Sequence, residues 1–529
     1  MNCATAFPCL QGWRRTMSEQ HYKLHWVTAV VETAKTLKEL IGPFIILVVV
    51  NGFKGERSGP WFIQYSSFII FGLLILITLV SGIVKWRRFD YWFEDQELRM
   101  VSGLFVRKKR YIPYDRIQSL DYTEGIFHRM FNLVKVKVET AGSSSGKDAE
   151  AELTAITKEA ARQIEEEIQK AKQFRIIGPS PRSNEDMELV LRRELETDAV
   201  KQIVKPVKTV FSMTTGDLLM LATTSGGIGV ILSGAAVFLS QIEELIPFEW
   251  LFGELESFVR FGVLVITIMI LLGFLIVWLL SVAMTFLANY DFKVMLEKDD
   301  LIITRGLLEK KRVTVPLNRV QNITIAENPV RQLFGYATVI INSAGGMGES
   351  ARIKLFPLAK RNRVIEPLQE LFPNLDFNMP EEKLSGRGKR FYYRFKLFLV
   401  LVAAGAVSYF FFPYGLLALI LLPVVWAFGR WQYNTAAYSI LSKQLTMRFR
   451  TISRHTVFTE KNRIQSMEMD QNYFHRRNKV ATLTVNVKSG MAADSPAIRH
   501  MPKEAAEQFL AWYEHRVEGE EYVELNKGE

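Results

Sequence analysis

Three long stretches without a single charged residue, Trp61 to Val84, Leu218 to Ser240 and Phe261 to Ala288, constrain this chain most. A backbone that crosses hydrocarbon must satisfy all its own N–H and C=O groups, which leaves only helices and closed barrels. Apolar runs of about 20 residues select the helix. Leu40 to Phe53 is shorter but extends back to Leu37, and Leu397 to Phe411 and Leu416 to Phe428 flank a break at Phe412-Pro413-Tyr414-Gly415. The expectation is six membrane helices in three hairpins, with a re-entrant or interfacial segment as the alternative for the shorter runs. No charge sits near the centre of any run, so the usual mark of ion-coupled transport is missing.

Charge placement sets the expected topology. The chain carries 66 Lys and Arg against 55 Asp and Glu, an excess of +11. Lys85, Arg87 and Arg88 follow the second helix, and Arg387, Lys389, Arg390, Arg394 and Lys396 precede the fifth. The connector from Gln241 to Arg260 is acidic, with Glu243, Glu244, Glu249, Glu254 and Glu256. Basic flanks stay on the cytoplasmic side, which puts the soluble stretches and both termini inside. The only cysteines are Cys3 and Cys9, too few for a disulfide framework or a Cys-rich metal site. Arg14 and Arg15 are not followed by the apolar core of a signal peptide. Met17 is an alternative start, with Met1 to Thr16 as an upstream extension.

The soluble stretches repeat. Gly103 to Leu120 aligns without gaps with Gly306 to Ile323, and Glu460 to Met467 falls on the same positions. Arg116, Arg319 and Arg463 therefore correspond, as do Gln118, Gln321 and Gln465. Downstream, Ile126 to Phe131 matches Pro329 to Phe334, and Phe474-His475-Arg476 repeats Phe127-His128-Arg129. Each copy continues with a strand pattern rich in Val, Ile and Thr, at Leu133 to Val138, Ala337 to Ile341 and Thr482 to Val487. An amphipathic helix closes each, over Thr157 to Ala171, Leu358 to Leu371 and Pro502 to Val517. A fixed-period repeat of this kind means a repeated structural unit.

These motifs, with Lys23-Leu24-His25 ahead of the first helix, Leu37 to Pro43, and Leu333-Phe334-Gly335-Tyr336, resemble the bacterial membrane proteins with pleckstrin-homology-like (PH-like) domains of the YdbS/YdbT type, in the long three-module form. The resemblance implies a bent seven-stranded sheet closed by a C-terminal helix in every module. The expected fold is thus an α+β membrane protein, with six transmembrane helices in three hairpins, each followed by a cytoplasmic PH-like β-sandwich or barrel with its C-terminal helix. The boundaries read as an N-terminal segment over 1–36, hairpins over 37–84, 217–288 and 397–428, and modules over 85–174, 289–375 and 429–529. A charged linker over 175–216 and a basic linker over 376–396 complete the chain. The third copy departs from the pattern, with Arg450-Thr-Ile452 in place of Gly-Leu and Asn478-Lys479 in place of Phe334-Gly335.

Candidate partner- or lipid-binding residues are the basic runs Arg107, Lys108, Lys109, Arg110 and Lys310, Lys311, Arg312, together with the repeated Arg116, Arg319 and Arg463. Basic residues near an anionic membrane are worth about 1 kcal/mol each. The competing reading is an exposed strand with solvated charges, and for the repeated arginines a partner for a carboxylate or a turn carbonyl. Gly142 to Lys147 fails the Walker spacing, and Ala344 to Gly348 holds the same place in the second copy, so both read as loops. His21 and His25 lack a third ligand, and with Trp26 read as an interfacial anchor. No catalytic pattern, cofactor motif or metal set is expected, and no nucleic-acid motif accompanies the positive charge. Small residues Ala222, Gly226, Gly229, Ser233 and Gly234 suit close helix packing. The residues read as a non-enzymatic scaffold at the bacterial inner membrane, and the resemblance adds a role in the cell envelope, resistance to membrane-active peptides, and a smaller PH-domain partner of the same family. Self-association and contact with membrane lipid are the other expected interactions, and a transporter or a headgroup sensor are the alternatives.

Overall fold

The computed structural model describes residues 21–52, 66–104, 106–140, 151–177, 207–225, 259–344, 352–380, 382–412, 414–488 and 494–514. The chain divides into two compact units, Met1–Val315 and Pro316–Glu529.

In the first unit, β1 (Tyr22–Lys23), β2 (Asp90–Glu94), β3 (Glu97–Ser102) and β4 (Lys108–Pro113) form an antiparallel sheet in that order. A one-turn 3-10 helix, Tyr114–Arg116, leads to β5 (Ile117–Glu124), β6 (Leu133–Thr140) and β7 (Ala151–Thr157), and then to the helix Lys158–Ile177. Along β6, Val134, Val136 and Val138 are buried while Lys135 and Lys137 lie on the other face, the two-residue period of a half-covered strand. Leu98, Ile112, Ile117 and Leu153 meet these valines in one core. Ala161, Ile164 and Ile168 close it from the helix, at the spacing of a single helix face. The unit ends with β8 (Lys208–Ser212), β9 (Lys293–Glu297), β10 (Asp300–Arg305) and β11 (Lys310–Pro316).

The second unit opens with the 3-10 turn Leu317–Arg319, β12 (Val320–Glu327), β13 (Tyr336–Ser343), β14 (Arg352–Lys360) and the helix Ile365–Leu371. It continues with β15 (Glu382–Lys383), β16 (Ala437–Leu441), β17 (Gln444–Arg450), β18 (Arg454–Glu460), β19 (Ile464–Asp470), β20 (Val480–Val487) and β21 (Ala497–Pro502). The helix Lys503–Tyr513 sets Ala505, Ala506 and Phe509 onto Leu483, Val485 and Ile498. Seven strands and a C-terminal helix thus recur three times among the described residues, but not as one seven-stranded sheet per module: the first four and the last three strands of each repeat lie in different sheets.

Three features differ from the sequence reading. The first strand of every repeat precedes the apolar helices: Tyr22 pairs with Tyr91, Lys208 with Leu296, and Glu382 with Tyr438. Each helical stretch is therefore an insertion between the first and second strands, and the segments read as an N-terminal tail (1–36) and linkers (175–216, 376–396) each supply a strand. The reason they escaped notice is length, since β1 and β15 have two residues each and no alternation to detect. The second amphipathic helix begins at Ile365, because Leu355, Phe356 and Leu358 are buried in β14. A continuous apolar run does not by itself separate strand from helix.

Of the six spanning helices expected, three are met among the described residues. Among the described residues, three helical stretches are long and apolar enough to cross a membrane: Ile69–Arg87, Gly386–Phe410 and Gly415–Thr435. Helix Val27–Gly52 carries Glu32, Lys35, Lys38 and Glu39 in its first half, and Val259–Asn289 covers the run predicted there. Of Leu218 to Ser240, only the part within Thr215–Thr224 is described. Of the small residues expected to pack, Ala222 is buried and the others lie outside the described residues.

The third module also joins two histidines that are distant in sequence. Nδ1 of His500 lies 3.1 Å from Nε2 of His475, and the Phe391 ring stacks on His500. Burial, then the His475, Arg499 and Lys396 charges, pushes His500 down to about 4, and burial lowers His475 as well. An imidazole with a folded pKa below its unfolded value of about 6.5 makes the unfolded chain the stronger proton acceptor. The stability of this module is therefore expected to be full above pH ~6.5 and to fall by about 3 kcal/mol in all as the pH drops to about 4. Thermal unfolding across that range should show the slope, and His500→Asn, which suits the positive φ of 58° there, should flatten it.

Candidate interaction site

The basic strands lead to the feature that organises the molecule. In the first unit, β11 pairs not only with β10 but with β5 of the preceding module, in a seven-stranded sheet ordered β7-β6-β5-β11-β10-β9-β8. In the second unit β18 pairs with β12 in the same way, giving β14-β13-β12-β18-β17-β16-β15. The registers correspond: Lys310 faces Glu124, and at the aligned positions Arg454 faces Glu327. A basic strand of one module thus adds itself to the sheet of the module before it, twice.

Side chains reinforce each joint. Glu327 is almost wholly buried and accepts two hydrogen bonds of 2.6 Å from the Arg454 guanidinium, with Arg361 at 3.9 Å. Asp494 Oδ2 accepts from Asn322 at 2.9 Å and from Asn342 at 2.6 Å, tying the loop before β21 to β12 and β13. In the first joint the Arg312 guanidinium lies 5.8 Å from the centre of the Tyr122 ring, directly across the ladder. Glu124 there takes Lys158 at 3.0 Å instead. The Arg129 guanidinium donates to the Leu307 carbonyl at 2.8 Å, and at the equivalent corner of the second joint Arg450 donates to Gln332 at 2.9 Å.

That corner explains the third copy's departure. Gly103 and Gly306 adopt φ of 134° and 105°, and a Cβ there would fall about 2 Å from the carbonyl oxygens of Val106 and Glu309. Arg450 stands at this position in the third copy without a positive φ. Its guanidinium binds Thr435, Ile452 and Gln332 and stacks 3.8 Å over Trp431. Burial, with the Arg454 charge next, pushes it down to about 10, so it stays charged at neutral pH.

The expected site residues therefore fall into different settings. Lys310 is exposed, whereas Lys311 and Arg312 are half-buried at the first joint. Arg107, Lys108 and Lys109 are exposed and Arg110 is half-buried, on β4 and the turn before it. Among the described residues the outer edge of β4 pairs with no strand. Arg116, Arg319 and Arg463 each close the 3-10 turn between the two halves of a module. Arg463 lies 3.8 Å from Glu460, and the Arg319 carbonyl accepts from Ala344. The glycine-rich loops are outside the described residues, apart from the flanking positions through Ala344.

Beside the first joint runs a cleft of about 500 Å³, lined by Tyr122, Lys158, Arg162, Glu165, Lys310 and Arg312 among others. The Tyr122 hydroxyl meets Glu165 at 3.2 Å, and burial together with that carboxylate raises its pKa. The lining holds mixed charge and a phenol. No group of three or more potential metal ligands occurs among the described residues. His21 lies 4.5 Å from the Trp92 ring, and half-exposed Trp26 packs edge-on against Phe131. Sequence reasoning missed Glu327, Asn322, Asn342 and Asp494. Glu124 and Glu327 aligning at the end of the repeated strand was the available signal.

This is the architecture of a membrane protein assembled from repeated PH-type sheets. The bacterial PH domain family matches residues 43–172, 247–371 and 397–517. The UPF0699 transmembrane protein YdbT of Bacillus subtilis (strain 168) is 35% identical over 511 residues, covering 94% of this chain and 99% of that protein. The chain belongs to this UPF0699 family of transmembrane proteins with bacterial PH domains. No solved structure matches it.

The joints differ in cost of disruption. Glu327→Gln strands two guanidinium groups on a buried ladder and is expected to lower stability by about 3 kcal/mol. Glu124→Gln breaks a partly exposed pair and should cost less than about 1 kcal/mol. Amide hydrogen exchange along β12 and β18, set against β5 and β11, checks both values.

Proposed function

We propose that this protein is a non-enzymatic scaffold of the bacterial cell envelope, holding PH-type modules on the cytoplasmic face and binding protein partners by sheet-edge addition. The observation that carries this reading is the repeated joint, in which β11 and β18 each extend a neighbouring module's sheet in the same register. Sheet addition draws affinity from main-chain hydrogen bonds and specificity from alternate side chains. The basic flanks Lys85, Arg87, Arg88 and Arg387 to Lys396, opposite the acidic connector at Glu243 to Glu256, support the cytoplasmic placement.

Lipid contact is the supporting interaction. Each module carries a one-turn helix with exposed apolar side chains: Phe127 and Met130, Leu333 and Phe334, Tyr473 and Phe474. Trp26, at the start of a helix leading toward the first apolar run, touches the first of these tips through Phe131. In the cell the scaffold protects against membrane-active antimicrobial peptides, alongside a smaller relative with the same type of domain. Cells lacking the protein should die at lower peptide doses than cells expressing it, and a chain carrying Glu327→Gln should protect less although it still reaches the membrane. Equal survival across a panel of such peptides, with expression verified, would remove the protective role.

A further inference from the structure

Two joints use up two basic strands and two acidic-ended strands, and one of each remains. The outer edges of β4 and β19 pair with no strand among the described residues. These are the equivalents of β11 and β18 on one side and of β5 and β12 on the other. We propose that β4 of one copy of this chain pairs with β19 of a second copy, repeating the internal joint between molecules. The mode of binding rests on the scaffold reading above; the partner and the register go beyond it.

The internal register carries directly to the free edges. The position of Arg454, facing Glu327, is that of Arg107, and Glu327 corresponds to Gln471. Antiparallel pairing then sets Lys108 opposite Asp470, Lys109 opposite Met469, Arg110 opposite Glu468 and Tyr111 opposite Met467. One face of the ladder gains two opposite-charge pairs, and the other an aromatic–Met contact, each a favourable cross-strand pair. Charge thus selects this pairing: β4 contributes only basic charges and β19 only acidic ones.

Burial shows what the missing strand would cover. Ile323, Thr324 and Ile325 of β12 are buried beside β18, and Leu120 and Asp121 of β5 are buried in the strand that β11 joins, whereas their counterparts Met467 and Met469 are half-buried and Glu468 is exposed. Phe458 of β18 is 0% exposed, and Tyr111 at the same position of β4 is 53% exposed. The Lys and Arg of β4 and the acids of β19 are charges that keep an edge from pairing indiscriminately, and only an edge of opposite charge turns them into favourable cross-strand pairs. Head-to-tail pairing of this kind is heterologous, so it propagates to a row of chains unless the rotation closes a ring.

The test uses the full chain in lipid nanodiscs or detergent, with Cys3→Ser and Cys9→Ser removing the native thiols. Lys108→Cys together with Asp470→Cys should give a reduction-sensitive ladder of dimers and higher species under mild oxidation, because directly opposed residues sit within disulfide reach. Mixing the two single-cysteine chains should give a dimer and nothing larger. As a second readout, Lys108→Glu with Arg110→Glu, or Glu468→Lys with Asp470→Lys, should each lower self-association about tenfold. Mixing those two variants should restore it, which also shows that both are folded. A disulfide confined within single chains, or a monomeric mass with no intermolecular bond, overturns the proposal. So does crosslinking in cells of Asp470→Cys to a smaller PH-domain protein in place of a second copy, an outcome that leaves the scaffold reading standing. Equal survival with and without the protein across the peptide panel, with the ladder intact, would instead sink the protective role and leave the pairing.

Discussion

An edge strand presents a row of backbone donors and acceptors that must find partners, and the arrangement within each unit follows from how that demand is met. β11 and β18 satisfy it on the preceding module, so that the hydrogen-bonded sheets run across module boundaries rather than stopping at them. The division of the chain at Val315 and Pro316 reflects this. It falls inside the second repeat, after the strand that has joined the first module's sheet. Sequence repeat and structural unit are out of phase because the strongest pairing is between neighbours.

Insertion of the apolar helices between first and second strands is the second consequence of strand pairing. β1, β8 and β15 each hydrogen-bond to the strand that follows the helices, which brings the two ends of the insertion to about the 4.8 Å spacing of adjacent strands. A helical pair held at both ends by one sheet is coupled to that sheet more directly than a tail joined by a single linker.

The same residue type does different work in different copies. Arg454 is locked by a bidentate bond to a buried carboxylate, Arg312 two positions further along its own strand lies against a tyrosine, and their first-copy counterparts Arg107 and Lys109 are exposed. A carboxylate desolvated at Glu327 is costly unless paired, so its joint is the more specific of the two. Arg450 shows how a departure from the repeat is accommodated. Where two copies need glycine to turn, the third turns otherwise and uses a long cation to fasten the corner.

The sequence by itself determined the threefold repeat, the strand faces and the family, because alternation, β-branched composition and aligned motifs are local and survive without knowledge of partners. It also marked the basic runs, Arg116 and its counterparts, as shared features. What it left open is which edge each strand meets: every residue offers the same N–H and C=O, so side-chain pattern reports a strand's face and says little about its neighbour. The two-residue strands at Tyr22 and Glu382, the pairing of His475 with His500, and the burial of Glu327 against Arg454 are all contacts between residues distant in sequence. Only the tertiary structure decided them, since each forms when two segments that carry no mutual signature are brought together by the hydrogen bonds of a shared sheet or core.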